Sequence, residues 1–144
     1  MAQKHGLHVF PAGSRAVRPG PEAYFVGQVS MEPVLSPIDP SRLSALRVTF
    51  LAGARTNWHT HPLGQTLYVL DGFGQVVVRG EAPVALRPGD TVHIPAGVDH
   101  WHGATSTTAM THLALQEAQD GETATWGAPV SDAAFAAFPG PARD

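Results

Sequence analysis

Glycine and proline interrupt this chain so often that it can fold only as many short elements: fifteen glycines and thirteen prolines are spread over 144 residues. The intervals between them carry Val, Leu, Ile, Thr, Tyr and Phe in alternation, the period-two pattern of strands with one buried face. The pattern predicts strands over residues 24–30, 44–51, 56–61, 65–70, 74–79, 91–94, 99–102 and 110–117. Asp71-Gly72, Arg87-Pro88-Gly89-Asp90 and Pro95-Ala96-Gly97 supply the permissive or fixed φ angles that reversals need. Residues 36–42, with Pro37, Asp39 and Pro40, read as a loop, and residues 11–22 as an extended segment wrapping the surface. Only the C-terminal end reads as helix. Ser131 can cap it, Asp132 suits the positive end of its dipole, residues 133–138 are compatible with it, and Pro139 ends it. Residues 140–144 are expected to be disordered. Many short strands with one terminal helix imply an all-β fold closed into a barrel, which removes exposed strand edges. No internal repeat is visible, so the expectation is one domain over residues 1–144, and the 43% hydrophobic content suffices for a core.

The histidines are not spread evenly. Six of the eight, His59, His61, His93, His100, His102 and His112, fall in one stretch, while His5 and His8 lie in a polar N-terminal segment that could bind metal adventitiously. On a strand, residues i and i+2 share a face about 6.6 Å apart. His59 and His61 therefore point one way together, as do His100 and His102. Imidazoles from such pairs, with the amide oxygen of Gln65, suit a divalent transition metal. The chain has no cysteine, so any metal is held by nitrogen and oxygen, and disulfides and thiol nucleophiles are excluded. A formal net charge of −3 without Lys or Arg runs offers nucleic acid no basic surface. The N-terminus lacks the apolar core of a signal peptide, and nothing approaches a membrane-spanning length, so a cytoplasmic protein acting on a small molecule is expected.

Two spaced patterns now carry a resemblance. Gly53-x5-His59-x-His61-x3-Gln65-x6-Gly72 and Gly89-x5-Pro95-x-Gly97-x2-His100 resemble the two cupin motifs, over roughly residues 44–117. Cupins are jelly-roll barrels in which both motifs supply metal ligands from facing strands. The chain departs from the family pattern twice, with Gln65 in place of the usual Glu and Ala104 in place of the usual Asn. The longer run from Gly53 to Leu67, with His100-Trp-His-Gly-Ala and the segment Thr107 to Glu117, is similar to the small manganese-dependent bacterial hydroxynitrile lyases of the cupin superfamily. The resemblance implies that His59, His61, Gln65 and His100 ligate the metal, manganese first, with Fe, Ni, Zn or Co as alternatives. It also implies that His102, His112 and Gln116 line the pocket.

Replacing a carboxylate ligand by neutral Gln65 leaves a dication with four neutral protein ligands. Such an ion is a stronger Lewis acid and gives up an electron less readily, which favours Lewis-acid chemistry over oxygen activation. His102 stands two residues beyond His100 and is the candidate acid/base, or else a water-binding neighbour of the ligands. His112 and Gln116 share a strand face with Met110 and Ala114, from which they could hydrogen-bond a substrate or a leaving anion. His93 reads as a surface histidine. Trp58 and Trp101 should point away from the metal. Leu46, Val48 and Phe50 share one face that is either an apolar pocket wall or ordinary core.

The expected activity is a metal-dependent carbon–carbon lyase on a small hydroxyl or carbonyl substrate, cyanohydrin cleavage and synthesis included. The alternatives are an Fe(II)-dependent dioxygenase and a non-catalytic small-ligand-binding cupin. A homo-oligomer, most simply a dimer formed by strand addition through residues 24–30, is also expected.

Overall fold

Alternating apolar residues sort the chain into two facing sheets and leave few edges. The computed structural model describes the backbone of residues 2–4 and all atoms of residues 6–138. His5, the helix stop at Pro139 and the disorder expected for residues 140–144 lie outside the described residues. In chain order the strands are β1 (Ala2–Lys4), β2 (Leu7–Val9), β3 (Arg18–Pro19), β4 (Phe25–Val26), β5 (Val29–Leu35), β6 (Leu43–Phe50), β7 (Arg55–Thr56) and β8 (His59–Thr60). They continue with β9 (Gln65–Gly72), β10 (Gly74–Val78), β11 (Val84–Leu86), β12 (Thr91–Ile94), β13 (His100–Ala104), β14 (Met110–Glu117) and β15 (Thr125–Trp126), and the helix is α1 (Asp132–Phe135).

One sheet runs β12-β9-β14-β6-β5-β3, and the other runs β11-β10-β13-β7-β4, with β8 paired to both β13 and β15. This two-sheet antiparallel barrel is the jelly-roll arrangement that the motifs imply. β1 and β2 form a separate hairpin. Between the sheets lie Val48, Phe50, Val69, Val76, Leu86 and Met110. A second cluster joins Val77, Trp101, Val130 and Phe135, with Trp58 packed against it, and so seats α1 on the barrel. Ser131 caps α1 as expected, its hydroxyl accepting from the Ala134 amide.

Strands β6, β9, β12 and β14 match the alternation read from sequence. Two predicted strands are broken. Residues 24–30 become β4 and the start of β5, which then runs on to Leu35. Residues 56–61 split at Asn57 and Trp58: the Asn57 side chain donates to the Ala23 carbonyl, and the Trp58 amide donates to Ala128 rather than continuing the ladder. The strap that follows β14 supplies β15, which extends the sheet beyond β8.

Candidate metal centre

Register, more than spacing, assembles the site. β8 and β13 place His59 directly opposite His100, and His61 follows just past the end of β8. All three imidazoles are buried, and nitrogens offered by them lie within 4.8 Å of one another. Each Nδ1 faces a main-chain carbonyl: His59 that of Asn57 at 2.8 Å, His61 that of Thr123 at 2.7 Å, and His100 that of Val98 at 3.0 Å. A carbonyl only accepts, so each Nδ1 carries the proton and each Nε2 keeps its lone pair. The Nε2 atoms of His61 and His100 are buried with no hydrogen-bond partner.

Gln65 comes from the opposite sheet, where β9 pairs with β14 and sets it against Gln116. Its Nε2 donates to Gln116 Oε1 at 3.0 Å, while Gln116 Nε2 donates to Ser44 Oγ at 2.7 Å. This directed chain of amides leaves Gln65 Oε1 buried and unpartnered. Two bare imidazole nitrogens and a bare amide oxygen, beside a third imidazole, are costly to bury unless something satisfies them. A divalent cation would satisfy them, and the donor set fits one.

Burial also keeps the imidazoles neutral, as metal ligation requires. It pushes His59 down to about 2, helped by the neighbouring His100, and His100 down to about 4. The same cause lowers His61, opposed by the Thr123 carbonyl and the nearby Gln65 side chain.

His102 and His112 form a second unit in the same cavity, with His112 Nε2 and His102 Nδ1 3.0 Å apart. His102 lies 5.4 Å from His59, ring centroid to centroid, and its backbone amide donates to Thr56 Oγ1. The outer nitrogens, His102 Nε2 and His112 Nδ1, are buried without partners. Burial holds His102 well below the ordinary histidine value, with the adjacent His112 adding to the shift, and burial lowers His112 to about 4. The pair is neutral near pH 7 and shares one proton along its hydrogen bond. When His102 donates from Nδ1, its Nε2 is a bare acceptor; when His112 donates, His102 Nε2 carries hydrogen.

These groups line a cavity of about 100 Å³, walled by Leu46, Val48, Phe50 and Ala114 on one side and by Phe25 and Trp126 on another. Leu46, Val48 and Phe50 therefore face the site. His93 is exposed and bonded to Thr66, and Trp101 points away from the cage into the α1 cluster. Two larger grooves, of about 540 and 600 Å³, lie along the N-terminal segment and hold none of these residues, while a third, of about 210 Å³, is lined by Gln65 and Gln116 together with the exposed His93. Gln116, read from sequence as a pocket group, has its amide engaged by Gln65 and Ser44. Sequence reasoning missed Trp126, Ser44 and the Thr123 carbonyl. Trp126 was visible only as an isolated Trp in a polar stretch, and the carbonyl left no signal because every residue has one.

A family model described as "Cupin domain" matches residues 46–115. The chain is 47% identical over 126 residues to a protein named (R)-mandelonitrile lyase from Granulicella tundricola, covering 88% of this chain and 96% of that protein. It is 33% identical over 75 residues to an acireductone dioxygenase of Trichormus variabilis, covering 49% of this chain and 41% of that one. Among solved structures, a cupin-like protein from Thermotoga maritima superposes with a TM-score of 0.79 at 32% identity, covering 92% of this chain and 98% of the other. Near-complete coverage at this identity, on a jelly roll with both motifs in register, makes the chain a member of the cupin family.

Proposed function

We propose that the protein is a metal-dependent carbon–carbon lyase that cleaves and forms cyanohydrins. The observation that carries this reading is the buried His102–His112 pair, whose outer nitrogens have no partner and which lines the same cavity as His59, His61 and Gln65. The relative named (R)-mandelonitrile lyase, similar over nearly the whole chain, supports the same substrate class. His59, His61, Gln65 and His100 would hold the cation, with Mn(II) as the first choice. When bound, a divalent cation supplies Lewis acidity toward the substrate oxygen.

The chain's own groups handle the proton. His102 Nε2 accepts it from the substrate hydroxyl in the tautomer in which His102 Nδ1 donates to His112 Nε2. The electron pair of the breaking carbon–carbon bond leaves with the nitrile carbon. His102 Nε2 then returns the proton to that carbon, so the products are a carbonyl compound and hydrogen cyanide. In synthesis the same atoms act in reverse. Leu46, Val48 and Phe50 exclude water and pack the substrate's apolar part.

Cyanide release from mandelonitrile by the Mn(II)-loaded protein tests the reading. Measurable release above buffer is expected, and no release under any divalent metal contradicts the substrate. The matched acireductone dioxygenase segment supports a second reading, oxygen chemistry on the same cage. Oxygen uptake with substrate loss under Fe(II), and no cyanide release, selects it.

A further inference from the structure

His59 has two cross-strand neighbours, His100 on β13 and Trp126 on β15. The Trp126 indole lies on the His59 imidazole, with ring centroids 4.4 Å apart and planes inclined by 23°. Its other face carries Tyr24 at 4.5 Å and 16°, and Phe25 tilts against it at 6.0 Å. Three rings are thus stacked from a partly exposed tyrosine inward to the cage.

The stack sits on a purpose-built segment. β15 is two residues long and pairs only with β8. Next to it, the Gly127 amide donates to the Trp58 carbonyl at 2.7 Å and the Trp58 amide to Ala128 at 3.0 Å. Upstream, the Thr123 carbonyl holds His61, and downstream the buried Arg55 grips the Val130 carbonyl at 2.6 Å. The indole is therefore fixed from both sides along the chain.

His59 needs such a constraint. Its hydrogen bond to Asn57 fixes Nδ1 alone, so the tilt of the ring is set by the rings packed against it. Among His61, His100, His102 and Trp126, the indole alone lies close to parallel with the imidazole. An imidazole that binds a dication also gains positive character, and the negative face of an indole attracts positive charge. The contact therefore strengthens on ligation and does more than fill space.

We propose that Trp126 is a positioning residue for the metal ligand His59, with Tyr24 steadying the indole from behind. The proposal rests on the reading of the cage as a metal centre. The indole offers no ligand atom; it sets the plane in which His59 Nε2 meets the shared centre.

The test is Mn(II) binding by wild type, W126F and W126L, followed by the EPR signal of the free ion, with thermal unfolding of the metal-free proteins alongside. W126L keeps apolar bulk without a flat face and should bind about tenfold more weakly, while W126F should recover affinity to within about threefold of wild type. Equal affinity in wild type and W126L overturns the proposal and leaves the metal reading standing. Equal weakening in both variants, in proportion to their loss of unfolding temperature, also overturns it, since the indole then acts as bulk. No Mn(II) binding by wild type overturns the metal reading, and the proposal with it. A measurement on the unaltered protein needs no variant to fold: NMR of the metal-free form should show the His59 ring protons displaced upfield by the indole, and ordinary shifts there contradict the stack.

Discussion

Gln65 sets the charge of the cage, and its orientation is imposed from outside it. Ser44 accepts from Gln116, Gln116 accepts from Gln65, and the remaining Gln65 oxygen faces the imidazoles. Gln65→Glu places a negative charge there and removes the N–H that Gln116 receives. Mn(II) affinity is expected to rise and the rate of cyanohydrin cleavage to fall; titration and initial rates on one preparation check both. His102→Ala removes the proton acceptor and leaves the cage in place. It should lower kcat about 10²- to 10⁴-fold with metal content unchanged, and loss of metal together with activity would assign His102 to the cage instead. The cage histidines were legible because the His-x-His spacing and the distance to His100 survive in the chain. Gln116 was legible as an inward-facing residue on β14, but its partners were not. Which end of an amide meets which neighbour depends on the register that sets it between Gln65 and Ser44, and that is a tertiary fact.

Long strands announced themselves, and short ones existed only through their partners. β6, β9 and β14 each run eight residues with alternating burial, so the pattern sufficed. β11, of three residues, and β15, of two, carry too few positions for any period, and pairing alone creates them. The end of the segment after β14 is also held by Arg55, whose guanidinium bonds the Val130 carbonyl and Asp132 and lies 4.7 Å from the Phe135 ring centroid. Arg55→Ala removes buried hydrogen bonds and packing together and should cost about 3 kcal/mol in urea unfolding. Asp132→Ala removes only the exposed partner of the pair and should cost about 0–1 kcal/mol. Equal costs would show that the ion pair, and not the carbonyl contact, anchors the segment. Gly103 marks another element-level constraint, since a Cβ there would stand 2.5 Å from the Ala54 carbonyl oxygen and 2.6 Å from Arg55 Cα. Gly103→Ala should destabilise by about 3 kcal/mol through displacement of β7 from β13, measured the same way.

Across the whole molecule, buried neutral histidines tie stability to pH. His100 and His112 are held down to about 4, whereas the unfolded chain titrates near 6.5. As pH falls below that value the unfolded state takes up protons that the native state refuses. Stability of the metal-free protein is therefore complete above about pH 6.5 and declines toward pH 4, by about 1.4 kcal/mol per pH unit for each such histidine. Urea midpoints across this window check the sign; a midpoint that rises on acidification contradicts it. Bound metal steepens the decline, because protons compete for the ligand nitrogens. No helix among the described residues is long and apolar enough to cross a membrane. The jelly roll, the facing motifs and the buried His59, His61 and His100 support the proposal that these three with Gln65 bind a divalent cation. The most direct measurement is the metal content of protein purified without added metal, compared with that of His59→Ala and His100→Ala. A single divalent cation per chain is expected in the wild type, with its loss from both variants; a folded wild type that neither carries nor takes up a cation, or variants that retain one, would contradict the shared ligand set.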